Sequence, residues 1–214
     1  MQAFILPSPS PKSCYPLTLL RTVSELPAAN QPLHTLQKKN IEAAGLQPIA
    51  DEGDLQQPAI YIPGDAYIPP PDLQNLATQN SNTVLEDKGG QPLAWAGDSR
   101  QIPEGANRIT VQTGLRILYP WDLLKLNEML VGAFDHDEIS GNLSDTVRIE
   151  GNAIIGEGTR LLPGVFIEGN VIIGRDCKII RNIQYSRKQN EFKVGEEILL
   201  KIGANSDYLL DYIK

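Results

Sequence analysis

The sequence predicts an α/β domain followed by a short parallel β-helix with three faces. Seven consecutive six-residue units between residues 143 and 184 begin with Leu or Ile. The run Ile149-Glu-Gly-Asn-Ala-Ile-Ile-Gly also returns eighteen residues later, from Ile167, with one change in eight. A six-residue period is typical of β-helices, whereas the strands of an ordinary sandwich alternate with period two and would not keep this register. The longer period indicates three strands per coil.

The repeat predicts which aliphatic side chains stack along the interior of the coil. The expected pairs are Ile149 with Ile167, Ile155 with Ile173, and Leu161 with Ile179. We expect Gly151, Gly169, Asn152 and Asn170 at the corners, where a positive φ is easy for Gly and tolerated by Asn. Seven units make little more than two coils. A solenoid this short needs a cap or a partner, because each unit contacts only its neighbours.

Strands and helices alternate before the repeat, which is typical of an α/β layer domain. Helices are expected from Pro32 to Ala44, over 71–79 and from Pro120, because Pro is favourable in the first helical turn. Strands are expected at 4–6, 59–62, 83–85, 93–96 and 108–111, with a hairpin turn at 89–90. The expected organisation is an α/β domain over 1–134, an acidic hinge over 135–142, the β-helix over 143–184 and a capping or oligomer-contact segment over 185–214.

Composition excludes several classes of partner. The chain has 214 residues and a net charge of −7, so its surface is expected to repel nucleic acid and anionic lipid. The amino-terminal apolar run is too short for a signal peptide or a membrane span, which predicts a cytoplasmic protein without a membrane partner. Cys14 and Cys177 lie in unrelated contexts and are expected to be free thiols.

Three segments carry a resemblance to a known family. They are Pro16-Leu-Thr with Leu26-Pro-Ala-Ala-Asn-Gln-Pro-Leu, then Pro120-Trp-Asp-Leu-Leu-Lys-Leu-Asn, and finally the six-residue repeats. Together they resemble the sugar-1-phosphate nucleotidyltransferases with a C-terminal left-handed β-helix, a group that includes bifunctional nucleotidyltransferase/acetyltransferases. The resemblance implies a Rossmann-like nucleotidyltransferase domain, here reduced in size, and a left-handed coil.

The phosphate-binding loop departs from that family's pattern. The family motif G-x-G-T-R-L-x-P-L-T, aligned on Pro16, places prolines 9 and 11 at the two glycines and Ser13 at the arginine. Each proline removes a backbone N–H and fixes φ, so the loop loses donors that would hold phosphate. Lys12 and Ser13 remain as candidate cofactor-binding residues, with Lys12 also a candidate catalytic cation.

Asp65 resembles the family's strand-end aspartate that holds magnesium, which makes it the candidate metal ligand and the second candidate catalytic residue. An aspartate that caps a loop turn is the equally weighted alternative. Gln37 and Lys38 on the first helix are expected to face solvent, and Asp122 is expected to act as a charge at a helix N-terminus. The interval from Asp65 to Pro120 is also much shorter than in the family, so most of the sugar-binding half is missing.

The resemblance therefore implies a catalytically degenerate protein of nucleotide-sugar metabolism, with a regulatory, binding or assembly role and a possible nucleotide or sugar-phosphate ligand. One alternative is an active nucleotidyltransferase that uses Lys12, Asp65 and Mg²⁺. Another is a hexapeptide-type acyltransferase that acts as a trimer through the β-helix. Acyl transfer of that kind needs a histidine base. The two histidines, His34 and His136, both lie outside the repeats.

Overall fold

The computed structural model describes residues 1–8, 11–79, 82–180, 183–186 and 191–194. Its chain divides into two compact units, Met1–Met129 and Leu130–Lys214. The protein is a mixed α/β structure with few helices and a sheet rich in parallel pairs. Among the described residues, no helix combines the length and apolar character needed to cross a membrane.

The first unit contains ten strands and three α-helices among its described residues, the last α-helix running on into the second unit. They are β1 (Gln2–Ile5), β2 (Pro27–Ala28), β3 (Gln31–Pro32), α1 (Leu33–Ala43), β4 (Gln47–Ile49), β5 (Ala59–Ile62), β6 (Ala66–Tyr67), α2 (Pro70–Thr78), β7 (Thr83–Glu86), β8 (Pro92–Gly97), β9 (Asn107–Thr110), β10 (Leu115–Arg116) and α3 (Pro120–Ala133). The predicted helices and main strands are therefore confirmed, with boundaries shifted by a few residues at most.

A six-stranded sheet with the order β4-β1-β5-β8-β7-β9 forms the centre of this unit. Strand β1 pairs in parallel with β4 and β5, and β7 pairs in parallel with β9, while β8 is antiparallel to both of its neighbours. After β1 the chain passes to β4 on one side and then to β5 on the other. In open α/β sheets, the crevice outside the carboxyl ends of two such strands is the usual place for a ligand.

Both faces of the central sheet are buried. Alternate residues of β5 enter different clusters, because successive side chains of a strand point to opposite faces. Ile60 and Ile62 pack with Leu73 and Leu76 of α2, whereas Tyr61 packs with Trp95 on the other face. Burial on both faces of the sheet therefore explains why every residue of Ala59-Ile-Tyr-Ile is apolar.

The second unit contains ten short strands among its described residues. They are β11 (Glu138–Ile139), β12 (Asn142–Leu143), β13 (Arg148–Glu150), β14 (Ala153–Ile155), β15 (Arg160–Leu161), β16 (Phe166–Glu168), β17 (Val171–Ile173), β18 (Lys178–Ile179), β19 (Ile183–Ser186) and β20 (Glu191–Val194). The first eight form three parallel sheets, β11-β14-β17, β12-β15-β18 and β13-β16. The chain therefore visits three faces in turn and returns to each after roughly one eighteen-residue repeat.

The predicted stacking of the repeats is confirmed. Ile149 pairs with Ile167, Ile155 with Ile173 and Leu161 with Ile179. These side chains belong to one apolar cluster, in which Ala153, Ile155 and Leu161 are almost fully buried. The strand β11 lies within the stretch expected as a hinge and pairs with β14. The predicted cap lies outside the described residues, apart from the antiparallel backbone pair β19-β20.

The corners of the coil use glycine and asparagine in different ways. Gly151 has φ of 140° and Gly169 has φ of 79°, as the sequence predicts. Asn152 and Asn170 act through their side chains instead of a positive φ. The Oδ1 atom of Asn170 accepts the backbone N–H of Asn152 at 3.1 Å, and both side-chain amides donate to the carbonyl of Phe134. These bonds satisfy a carbonyl just after the end of α3, where helical partners are lacking.

Candidate functional site

Lys12 and Ser13 lie on a short 3₁₀ helix, Lys12–Cys14, and both are exposed. The backbone N–H of Cys14 donates to the carbonyl of Pro11 at 3.1 Å, and that of Tyr15 donates to Lys12. A phosphate cradle needs N–H groups that point at the ligand, whereas these two are used within the turn itself. Residues 9 and 10 of the same loop lie outside the described residues.

Ser13 ties this loop to the segment before α3. Its hydroxyl donates to the carbonyl of Leu118 at 2.6 Å. The hydroxyl of Thr18 donates back to the carbonyl of Pro11 at 3.1 Å and closes the loop on itself. The loop is therefore fixed by internal hydrogen bonds, and the side chain of Lys12 is the cationic group that it presents to solvent.

Asp65 follows β5, as predicted, in a turn closed by the N–H of Ala66 and the carbonyl of Pro63 at 3.0 Å. Its residue exposure is only 1%. Both carboxylate oxygens lie 2.7 Å from Nη2 of Arg116, which donates a hydrogen bond to Oδ2. Arg116 stands opposite Ala66 in the β6–β10 pair, so strand register brings the two charges together. Arg116 was not predicted as a site residue from the sequence.

Gln37 of α1 holds the same turn from the other side. Its amide nitrogen donates to the carbonyls of Pro63 at 2.9 Å and Ala66 at 2.7 Å. Gln37 is 3% exposed, so the expectation that it faces solvent is wrong, whereas Lys38 is exposed as expected. The turn carbonyls need a buried donor, and Gln37 supplies it from the helix face that packs on the sheet.

Three buried polar atoms around this turn have no hydrogen-bond partner in the structure. They are Oε1 of Gln37, Nε of Arg116 and Oδ1 of Asp65, although Oδ1 still faces the guanidinium charge at 2.7 Å. A buried polar group without a partner costs about 1–3 kcal/mol. Under-satisfied buried groups of this kind are uncommon in native structures. The cluster of Gln37, Asp65 and Arg116 is therefore the best candidate for a site in the described part of the chain.

The loop after β1 approaches this cluster closely. A Cβ atom on Gly64 would lie 2.7 Å from the carbonyl oxygen of Leu6 and 2.8 Å from Cα of Ser8. Such distances leave no room for a side chain, so glycine is required at position 64. The turn after β5 and the loop after β1 thus meet at the carboxyl edge of the sheet, where the crevice of an α/β fold is expected.

Cys14 is buried near the same edge. Burial raises the pKa of its thiol, and the negative charges of Asp122 and Asp65 raise that pKa further, while a hydrogen bond with Ser13 acts in the opposite direction. A thiol that resists ionisation is a poor nucleophile. Cys14 and Cys177 are both free thiols, as the sequence predicts.

Asp122 caps α3, which confirms the role that the sequence indicates. Its Oδ2 accepts the N–H groups of Leu118 at 3.1 Å and Tyr119 at 2.9 Å. An acidic side chain in the first turn satisfies donors that have no helical partner and interacts well with the helix dipole. Within the described residues, no group of three or more His, Cys, Asp and Glu side chains is placed to hold a metal ion.

The two histidines contact other groups. Nδ1 of His34 is 2.9 Å from the carbonyl oxygen of Ser24, and the ring is exposed. Nδ1 of His136 is 3.5 Å from the carboxylate of Asp135 in an exposed pair. Two open depressions in the described part of the first unit lie elsewhere. One is lined by residues of the loop after β8, among them Asp98, Gln101 and Glu104, and the other lies between Met1, Gln47 and Pro58.

The residues present do not suit Mg²⁺ without rearrangement. Magnesium binds through carboxylate oxygens in near-octahedral geometry. Here Nη2 of Arg116 is 2.7 Å from both oxygens of Asp65 and already balances the carboxylate charge. Magnesium binding at Asp65 therefore stays a prediction that requires Arg116 to move.

Comparison with models of protein families gives no match, and comparison with curated proteins gives none either. The fold and the cluster define a mixed α/β protein with an ion pair at the carboxyl edge of a parallel strand pair. The resemblance to sugar-1-phosphate nucleotidyltransferases therefore stays a prediction, which rests on three segments of the sequence.

Proposed function

We propose that this chain is a catalytically degenerate relative of the sugar-1-phosphate nucleotidyltransferases, with a regulatory, binding or assembly role in nucleotide-sugar metabolism. We include in the proposal that its repeats form a left-handed β-helix, as in the family that the sequence resembles. The observation that carries the proposal is the buried ion pair between Arg116 and Asp65. A carboxylate neutralised by a guanidinium attracts a divalent cation weakly.

The loop geometry supports the same proposal. Transfer of a nucleotidyl group requires several donors and cations around a triphosphate, since charge on the phosphate oxygens must be balanced in the transition state. The N–H groups of Cys14 and Tyr15 are bonded within their own turn, and Ser13 is bonded to Leu118. Among the described residues of this loop, Lys12 carries the charged group that remains to contact a phosphate. One exposed lysine supports weak binding of a nucleotide or sugar phosphate but gives little stabilisation of a transition state.

The test is a pyrophosphate-release assay with Mg²⁺, each nucleoside triphosphate and a panel of sugar 1-phosphates. We expect no release above the enzyme-free rate, for the wild type and for Asp65→Asn alike. Steady release that Asp65→Asn abolishes and Asp72→Asn retains would contradict the proposal and favour the active enzyme. Asp72 is a suitable control because it is an aspartate in the first turn of α2 and does not belong to the cluster.

Binding is measured separately from catalysis. A ligand that binds the folded state raises the melting temperature by mass action. We expect millimolar nucleotide or sugar nucleotide to raise the melting temperature of the wild type, and Lys12→Ala to reduce that shift. A shift that is unchanged in Lys12→Ala would place the ligand elsewhere on the protein.

The hand of the coil is tested by a crystal structure of the full chain.

A further inference from the structure

Exposed apolar side chains are concentrated on one part of the first unit. Among the described residues, seven of the ten large hydrophobic side chains that are exposed lie in two short segments, 15–20 and 119–124. We call these seven the apolar patch. They are Tyr15, Leu17, Leu19, Leu20, Tyr119, Trp121 and Leu124. Exposed apolar residues scattered singly need no explanation, whereas a cluster of this kind marks an interaction surface.

The two segments of the apolar patch are held side by side. Ser13, just before the first segment, donates to the carbonyl of Leu118, just before the second, at 2.6 Å. Within the second segment, the rings of Tyr119 and Trp121 stack with centroids 4.6 Å apart and planes 10° apart. Trp121 and Leu124 are three residues apart on α3 and therefore share a helix face. The opposite face of α3 is buried through Leu123 and Leu126.

The area of the apolar patch matches what a dimer needs. Aromatic side chains bury about 150–250 Å² each, so three rings exposed by roughly half present about 300 Å². The apolar surface of one leucine side chain is on the order of 100 Å², which follows from its burial free energy at about 25 cal/mol/Å². Four leucines that are exposed by 42% to 81% therefore add about 250 Å² of apolar surface. A standard interface buries about 800 Å² per partner, of which about 60% is apolar.

The charges around the apolar patch are mixed in sign. Exposed cations at Lys12, Arg21 and Lys125 and exposed anions at Glu25 and Glu128 flank it among the described residues. A twofold axis places the same surface on both subunits, so a rim that carries both signs can complement itself. A bilayer of anionic lipid would instead favour cations alone, and the chain as a whole carries a net charge of −7.

We propose that the apolar patch is the interface through which two copies of this chain form a twofold dimer. Leu19 and Leu20 are the most exposed side chains of its first segment, and Leu124 is the most exposed of its second. This association uses the first unit and is separate from the trimer that the repeats alone suggested. It does not depend on whether the chain binds a nucleotide.

Sedimentation equilibrium over a range of concentrations tests the proposal with the full chain. We expect the wild type to approach twice the chain mass of 23.5 kDa at about 10 µM, a typical range for a standard interface. Leu20→Glu and Leu124→Glu each introduce a charge into the interface and are expected to raise Kd at least about tenfold. Both side chains are largely exposed, so circular dichroism should show that each variant folds as the wild type does.

Phe166→Glu is the matched control, because Phe166 is 54% exposed on β16 in the second unit. It should leave Kd unchanged. Higher salt should leave the wild-type dimer intact or strengthen it, because the core of the interface is apolar and salt screens the repulsion between the net charges of the two copies. A wild type that is monomeric at about 100 µM would overturn the proposal. A wild type that forms a trimer, which Phe166→Glu dissociates, would also overturn it. So would a monomeric wild type that binds vesicles containing phosphatidylserine when Leu20→Glu abolishes that binding.

Discussion

Replacement of Asp65 by Asn should destabilise the first unit strongly. The substitution keeps the shape of the side chain but removes the charge that balances Arg116, whose side chain is only 16% exposed. Removing one partner of a buried ion pair costs about 3–5 kcal/mol, because the other charge stays buried without compensation. Arg116 keeps one hydrogen bond, at 2.8 Å to the carbonyl of Pro92. We therefore expect a loss near the lower end, about 3 kcal/mol.

Urea unfolding followed by tryptophan fluorescence measures this loss. Both tryptophans, Trp95 and Trp121, lie in the first unit, so their signal reports the unfolding of that unit. Arg116→Met should cost a similar free energy because it leaves the carboxylate alone. The double variant should cost less than the sum of the two single variants, since neither charge is then left unpaired.

A metal-binding role for Asp65 predicts the opposite result. If Asp65 held a metal ion, its carboxylate would be unbalanced without the metal, and Asp65→Asn would leave the metal-free protein as stable as the wild type or more stable. Mg²⁺ would then stabilise the wild type but not the variant. Asp72→Asn is the control, because burial raises the pKa of Asp72 and its charge therefore disfavours the folded state at neutral pH. A loss below about 1 kcal/mol for Asp65→Asn, or a strictly additive double variant, would refute the reasoning.

Two further predictions concern other parts of the chain. Hydrogen bonds from the amide and hydroxyl of Thr22 lower the pKa of Glu25, so its contribution to stability is present above the unfolded pKa of about 4.3 and is lost as pH falls through the folded pKa. The stability difference between wild type and Glu25→Gln should therefore shrink in acid denaturation curves; a difference that grows on acidification contradicts this. Gly151→Ala should destabilise the second unit in thermal unfolding, since φ is 140° and the new Cβ would lie 2.5 Å from the backbone of Gly169. Gly132→Ala, which meets no atom within 4 Å, should leave stability unchanged or raise it by up to about 1 kcal/mol, and equal effects of the two would contradict the steric argument.

The register of the coil could be predicted from sequence because one side chain per six residues must face the interior. That constraint repeats, so an eighteen-residue period specifies Ile149 over Ile167 without any knowledge of the rest of the chain. The position of Asp65 after a strand was equally predictable, since Ala59-Ile-Tyr-Ile reads as buried and ends in a Pro-Gly turn. Local sequence patterns were therefore sufficient to predict the helices and strands and the position of Asp65.

Arg116 and Gln37 were beyond such reasoning for physical reasons. Arg116 meets Asp65 through a pair of two-residue strands, which are too short to leave a period in the sequence, and fifty-one positions separate the two residues. Gln37 lies on a helix that is mostly polar, and its burial depends on how α1 packs over the turn at Pro63. A polar residue between Leu36 and Ile41 on the apolar side of the helix was the available signal.

The proposed loss of catalysis requires Asp65 to be the structural partner of Arg116 and not a metal ligand. A titration of Mn²⁺ followed by electron paramagnetic resonance tests it directly, because free Mn²⁺ gives a signal that coordination to the protein removes. We expect no saturable site up to about 1 mM that depends on Asp65, and equal titrations for the wild type, Asp65→Asn and Asp72→Asn. One saturable site that disappears in Asp65→Asn and persists in Asp72→Asn would contradict the claim.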